Sequence, residues 1–163
     1  MIRRRALALW ATGLLTACGF ELRRAPELRF KTVQLVGFKA HSPLAEELRR
    51  NIAASTTTRV VEAASQAEVI LEALADSRDK GVVASTTAGQ VREVQLRSLL
   101  NFRLRTPAGK ELIASTEIAL SRDMTYNERD ALAKDQEEEA LYRAMQSDIA
   151  SQVLRRLAAV QKP

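Results

Sequence analysis

The clearest signal in this chain is a period of two. From Val94 to Leu104 the apolar positions alternate: Val94, Leu96, Leu100, Phe102 and Leu104, with Ser98 in step, share one side. Gln95, Arg97, Asn101, Arg103 and Arg105 share the other. Such alternation predicts an antiparallel strand over Gln90–Arg105 with one face covered and one polar. Pro107-Ala108-Gly109 supplies a hairpin turn, and Leu112, Ala114, Thr116, Ile118 and Leu120 then line one face of the next strand. Upstream, Val69, Leu71, Ala73 and Ala75 share a face, with Glu68, Glu72 and Asp76 opposite, and Ser85–Gly89 forms the intervening hairpin tip. Arg29 to Val36 reads as a first strand stopped by Gly37, and Arg59-Val60-Val61 as a short extended piece.

Elsewhere the period lengthens to that of a helix. Ser42-Pro43 combines a good N-cap with proline at the first helical position, and Leu44, Leu48 and Ile52 make one apolar stripe. Asn127 caps the last helix, with Glu128 and Asp130 in its first turn and Arg155, Arg156 and Lys162 near its end, as the helix dipole favours. Leu141, Met145, Ile149, Val153 and Leu157 recur every four residues along it, reinforced by Leu154 and Val160. This helix runs about 50 Å at 1.5 Å per residue, which matches the long strand. It can therefore cover a sheet from end to end, with its flank at Gln146 on the opposite side of the sandwich from Arg97 and Asn101. The order β-α-β-β-β-α predicts an α+β fold, two helices packed on one face of a mixed, mainly antiparallel four-stranded sheet.

The amino terminus changes the context of this domain. Arg3, Arg4 and Arg5 precede an apolar run from Ala6 to Leu15 broken only by Thr12 and Gly13, the form of a secretory signal. A membrane span needs roughly 20 apolar residues, so this run is too short to remain as an anchor. Leu15-Thr16-Ala17-Cys18 matches the bacterial lipobox, whose cysteine is cut free and joined to diacylglycerol; Gly19 behind it resembles lipoproteins sent on to the outer membrane. The expected organisation is a signal peptide over residues 1–17, a lipidated N-terminus and extended tether over 18–28, and one periplasm-facing domain over 29–163. Loss of the three signal arginines lowers the formal charge from +5 to +2, so the isoelectric point of 9.8 overstates the mature basicity. The main support for a nucleic-acid partner goes with them. Cys18 is the only cysteine, so no internal disulfide is expected.

The chain holds little catalytic chemistry. His41 is its only histidine and has no second histidine or cysteine beside which to ligate a metal. No glycine-rich phosphate loop and no nucleophile with a paired base is present, and consecutive Glu137, Glu138 and Glu139 diverge around a helix. No enzyme, metal or cofactor is expected. Two basic features remain. Arg97, Arg103 and Arg105 form a row on the polar sheet face, able to meet phosphates or a polar protein wall. Lys134, seven residues before Leu141, returns to the apolar stripe where the helix runs off the sheet, its stem on apolar surface and its charge outward.

These residues resemble a known family. Cys18-Gly19-Phe20, with Leu22-Arg23, is similar to the mature start of LptE, the lipopolysaccharide-assembly lipoprotein family. Ala131-Leu132-Ala133-Lys134-Asp135, with Glu137, Leu141, Met145 and Leu154-Arg155-Arg156-Leu157, is similar to that family's last helix. The two blocks cover about a third of the mature chain. Arg24 stands where the family often has glycine, and Thr86-Thr87-Ala88-Gly89 lacks the basic residue some members carry at that tip. The resemblance implies a plug inside the outer-membrane β-barrel LptD, a 1:1 heterodimer held to the outer membrane by its lipid, and contact with lipopolysaccharide. On that implication Lys134, Arg92 and Arg97 are the candidate lipopolysaccharide contacts, and Arg97, Asn101 and Arg103 the candidate partner contacts. The alternative is an accessory lipoprotein of another envelope lipid-transport complex.

Overall fold

The computed structural model describes residues 26–54 and 57–161. Its elements are β1 (Thr32–Val36), α1 (Pro43–Ala53), β2 (Arg59–Val60), β3 (Val69–Ser85), β4 (Val91–Arg105), β5 (Glu111–Thr125) and α2 (Ala131–Ala159). The sheet order is β2-β1-β3-β4-β5. β1 runs parallel to both its neighbours, while β3, β4 and β5 form an antiparallel meander. The expected four strands are thus five, because Arg59-Val60 pairs with Thr32-Val33 and extends the edge. The α+β reading of two helices on a mixed sheet stands.

The sheet is five strands wide at one end and three at the other, because the β1–β3 ladder stops at Val36–Glu72. Gly37 follows with φ of 79°, and its α-carbon lies close against the Ala73 carbonyl. Just there β3 loses its neighbour and bulges at Leu74. Before the bulge Leu71 and Ala73 face the helices, opposite Leu104 and Phe102. After it the alternation slips by one residue. Asp76, Arg78, Lys80 and Val82 oppose the inward-facing Leu100, Ser98, Leu96 and Val94, while Ala75 pairs with outward-facing Asn101. The single face expected for Val69 to Ala75, with Asp76 opposite, therefore holds only as far as Ala73. Beyond that point β3 is an edge, and the charges and bulges along it guard its free backbone against stray pairing.

β4 follows its pattern throughout: Val94, Leu96, Ser98, Leu100, Phe102 and Leu104 are all buried. β5 departs from expectation at its start. Thr116 and Ile118 oppose Phe102 and Leu100, but register shifts bring Ile113, not Leu112 or Ala114, opposite Leu104. In α2 the buried residues are Tyr142, Met145, Gln146, Ile149, Ala150, Val153, Leu154 and Leu157. Each large apolar side chain among them contributes about 2 kcal/mol by leaving water. Asn127 caps not α2 itself but the one-turn 3₁₀ segment Glu128–Asp130 that leads into it, accepting from the Arg129 N–H.

Two apolar clusters result. The larger, at the five-stranded end, joins Leu28, Phe30, Val33, Leu48, Ile52, Leu71, Phe102, Ile149 and Leu157 among others. The smaller lies toward the β3–β4 hairpin and holds Val94, Leu96, Met124, Tyr142 and Met145. Leu28, the last residue of the expected tether, packs into the larger cluster.

Candidate functional site

The face of the sheet away from the helices is polar and uncovered, because the odd positions of β4 point to it. Arg103 and Arg105 converge on Glu72, with nitrogen–oxygen distances of 2.8 and 3.0 Å. Hydrogen bonds from Arg105 and then Arg103 hold the Glu72 carboxyl below its ordinary value of 4.5. A depressed carboxyl stabilises the fold above its unfolded value and loses that contribution as pH falls through the folded one. Urea unfolding below pH 4.5 should therefore weaken the parent more steeply than Glu72→Gln, and parallel pH profiles would remove this pair from the acid response. Arg97 is exposed and donates to Gln95 at 2.7 Å; Gln95 in turn donates to Asp123. Asn101 accepts from Ser115 at 2.9 Å. The candidate partner contacts Arg97, Asn101 and Arg103 thus do share one face, and Arg97 is the one of the three with no ion pair or cross-strand bond of its own among the described residues.

The candidate lipopolysaccharide contacts do not form one group. Lys134 is half-buried at the start of α2, paired with Glu137 at 2.8 Å and with the Thr125 hydroxyl at 3.3 Å. Arg92 lies near it at the hairpin end, lining a cavity of about 270 Å³ with Gln90, Val91, Asn127, Glu128 and Arg129. Arg97 is five residues along β4, about 17 Å away, and on the opposite face. That Arg92 and Arg129 line one cavity is not foreshadowed by the sequence. The cap run Asn127-Glu128-Arg129-Asp130 marks a helix start, but nothing in it reveals which strand end lies alongside.

A second polar row, also missed, lies on the helix side of the Leu74 bulge. Ser42 donates to Asp76 at 2.6 Å while its oxygen caps α1 at Ala45. Arg78 donates to Gln146 at 2.5 Å and lies 5.2 Å from the Tyr142 ring centre. Lys80 pairs with Glu138 at 2.5 Å, a hydrogen bond that raises the lysine's pKa. Burial raises that of Tyr142, whose hydroxyl donates to the Asp79 carbonyl. Gln146, expected on an outward flank, is buried and donates to the Pro43 carbonyl and to Glu47.

Cys18 lies outside the described residues. His41 is an exposed turn residue with φ of 56°. Among the described residues no group of three or more histidine, cysteine, aspartate or glutamate side chains could hold a metal, and no helix is long and apolar enough to cross a membrane.

The sequence and the fold match known proteins over most of the chain. A family model described as LptE, lipopolysaccharide-assembly, matches residues 30–157. The LPS-assembly lipoprotein LptE of Photorhabdus laumondii is 28% identical over 157 residues, covering 94% of this chain and 85% of that protein. The LPS-assembly lipoprotein LptE of Pectobacterium atrosepticum is 27% identical over 157 residues, covering 94% and 84%. The solution structure of lipoprotein B from Nitrosomonas europaea is 34% identical, covers 86% of this chain and 91% of that one, and superposes with a TM-score of 0.73. On this match, which runs from the first strand to the end of the last helix, the chain belongs to the LptE family of lipopolysaccharide-assembly lipoproteins.

Proposed function

We propose that this chain is anchored to the outer membrane through a lipid on Cys18, fills the lumen of an LptD-like β-barrel as its 1:1 partner, and binds lipopolysaccharide during its transfer to the outer leaflet. The observation that carries this reading is the uncovered outer face of the sheet. It presents Gln95, Arg97, Asn101 and Arg103 along strands about 50 Å long, a length and polarity suited to the water-lined interior of a large barrel. The exposed large apolar residues Leu74, Val82, Val83 and Leu132 are spread over β3 and the start of α2, which does not favour a one-sided apolar interface. Arg92 and Lys134, at the hairpin end, are the cations assigned to lipopolysaccharide phosphates; Arg97, on the far face, is assigned to the barrel wall.

Photocrosslinkers test the plug. Placed singly at Arg97 and Asn101 on the sheet face and at Arg143 on the exposed side of α2, all three should capture the same outer-membrane barrel. Gln146 is too buried to serve as the helix-side position. Capture from the sheet face alone would instead support an accessory lipoprotein docked on another envelope transporter.

A further inference from the structure

The end of the domain where the chain enters the fold carries a basic collar. Arg29, Lys31 and Arg59 line a cavity of about 630 Å³ beside Leu28 and Phe30. On the same end, Lys110 in the β4–β5 turn and Arg156 near the end of α2 line another of about 620 Å³, walled in part by Leu112, Ile113 and Val160. Arg155 is exposed one residue before Arg156. Among the described residues none of these six cations is in an ion pair, and one terminal nitrogen of Arg156 is buried with no hydrogen-bond partner. The carboxylates of this end include Glu27, Glu62, Glu68 and Glu111, and Glu68 is engaged by the Lys31 backbone N–H at 2.8 Å. The other half of α2 has the reverse balance, with Asp135, Glu137, Glu138 and Glu139. The net charge of α2 is therefore polarised along its length, with its basic end where the chain enters the fold.

Chain length fixes what this end can reach. Residues 19–25 separate Cys18 from Pro26, so the two lie at most about 29 Å apart, and the intervening residues include Arg23 and Arg24. A lipid on Cys18 would hold Pro26, where the chain enters this end of the fold, within that distance of a headgroup plane. We infer that this end docks on an anionic phospholipid surface through Arg29, Lys31, Arg59, Lys110 and Arg155. The inference rests on the Cys18 anchor proposed above and not on the barrel. A basic patch is the usual second signal beside a lipid chain, and each lysine or arginine within reach of an anionic surface strengthens docking about fivefold.

The test uses the mature lipoprotein reconstituted on vesicles of phosphatidylcholine, alone or with a third of it replaced by phosphatidylglycerol. With Cys18 taken by lipid, a fluorophore at Ala108→Cys or Thr87→Cys is uniquely placed at either end of the domain. Energy transfer to headgroup-labelled lipid should rise about twofold at position 108 on the anionic vesicles and not at position 87. High salt should abolish the rise, as should Arg29→Gln, Arg59→Gln, Lys110→Gln and Arg155→Gln combined. Equal transfer on both vesicle types, a rise at position 87 instead, or a rise that survives the four substitutions would overturn docking; the first result would leave the collar to an acidic protein. If circular dichroism shows the substituted chain misfolded, the salt response of the parent decides. Flotation with the neutral vesicles reports the anchor separately: a chain that stays behind lacks the lipid, while the salt-sensitive rise on anionic vesicles still reads the collar.

Discussion

Leu100→Asp is expected to cost the domain several kcal/mol, a large share of the 5–15 kcal/mol typical of a folded domain. Leu100 is fully buried in the larger cluster and lies between Ile118 on β5 and Asp76 on β3. The substitution removes an apolar side chain worth about 2–5 kcal/mol in such a site. It also places a second carboxylate directly across the strand pair from Asp76, with no cation on either neighbouring residue of β4 to receive it. Arg103→Ala, on the other face of the same strand, should cost less than about 1 kcal/mol, because Arg105 keeps its own bond to Glu72 and surface pairs are weak. Urea unfolding of the two variants checks the ranking. The reverse order would mean that the helices cover the wrong face of the sheet.

Gly37→Ala should be nearly as damaging, by a different route. The residue has φ of 79°, where an L side chain is strained, and a β-carbon there would overlap the Ala73 carbonyl oxygen, part of the β3 backbone. Strain alone costs about 1–2 kcal/mol. Relief of the overlap requires β1 to move away from β3 at the last rung of their ladder, so the total should reach at least about 3 kcal/mol. Gly89→Ala isolates the first contribution, since Gly89 has φ of 80° in the hairpin tip and nothing within 4 Å of an added β-carbon. Thermal unfolding should place Gly37→Ala well below Gly89→Ala. Equal midpoints would show that the Ala73 contact carries no cost.

What could be read in advance followed from periodicity. β4 and the apolar stripe of α2 were legible because each is long, regular and covered on one side, so a simple repeat survives from end to end. The family was legible at the two ends of the mature chain, although the match extends through the middle from residue 30 to residue 157. The faces of β3 beyond Ala73 and the start of β5 were not legible, because a bulge leaves no mark in composition: Leu74 looks like any other strand residue. Lys80, Arg78 and Asp76 consequently looked unremarkable. The arginine row on the outer face was visible, but its division into a pair sharing Glu72 and a separate Arg97 depends on which strand lies beside β4. The meeting of Arg92 and Arg129 on one cavity depends on where the chain returns after β5, and no local pattern contains that.

The bulge at Leu74 behaves as a one-letter insertion in a message. Upstream of it the odd positions face the helices, and downstream the even ones do. Deleting that one leucine would set Ala75 directly after Ala73, on the adjacent partners Asn101 and Phe102 that they already have, and the far half of the strand would keep its sides. Ironing the bulge flat with Leu74 kept would instead exchange them. Ala75, Ser77 and Asp79 would turn toward α2; Asp76, Arg78 and Lys80 would turn outward and leave Ser42, Gln146 and Glu138 without their partners. The polarity of the seam beneath the long helix is thus stored in one residue's being left out of the pairing, and its own side chain takes no part in that seam.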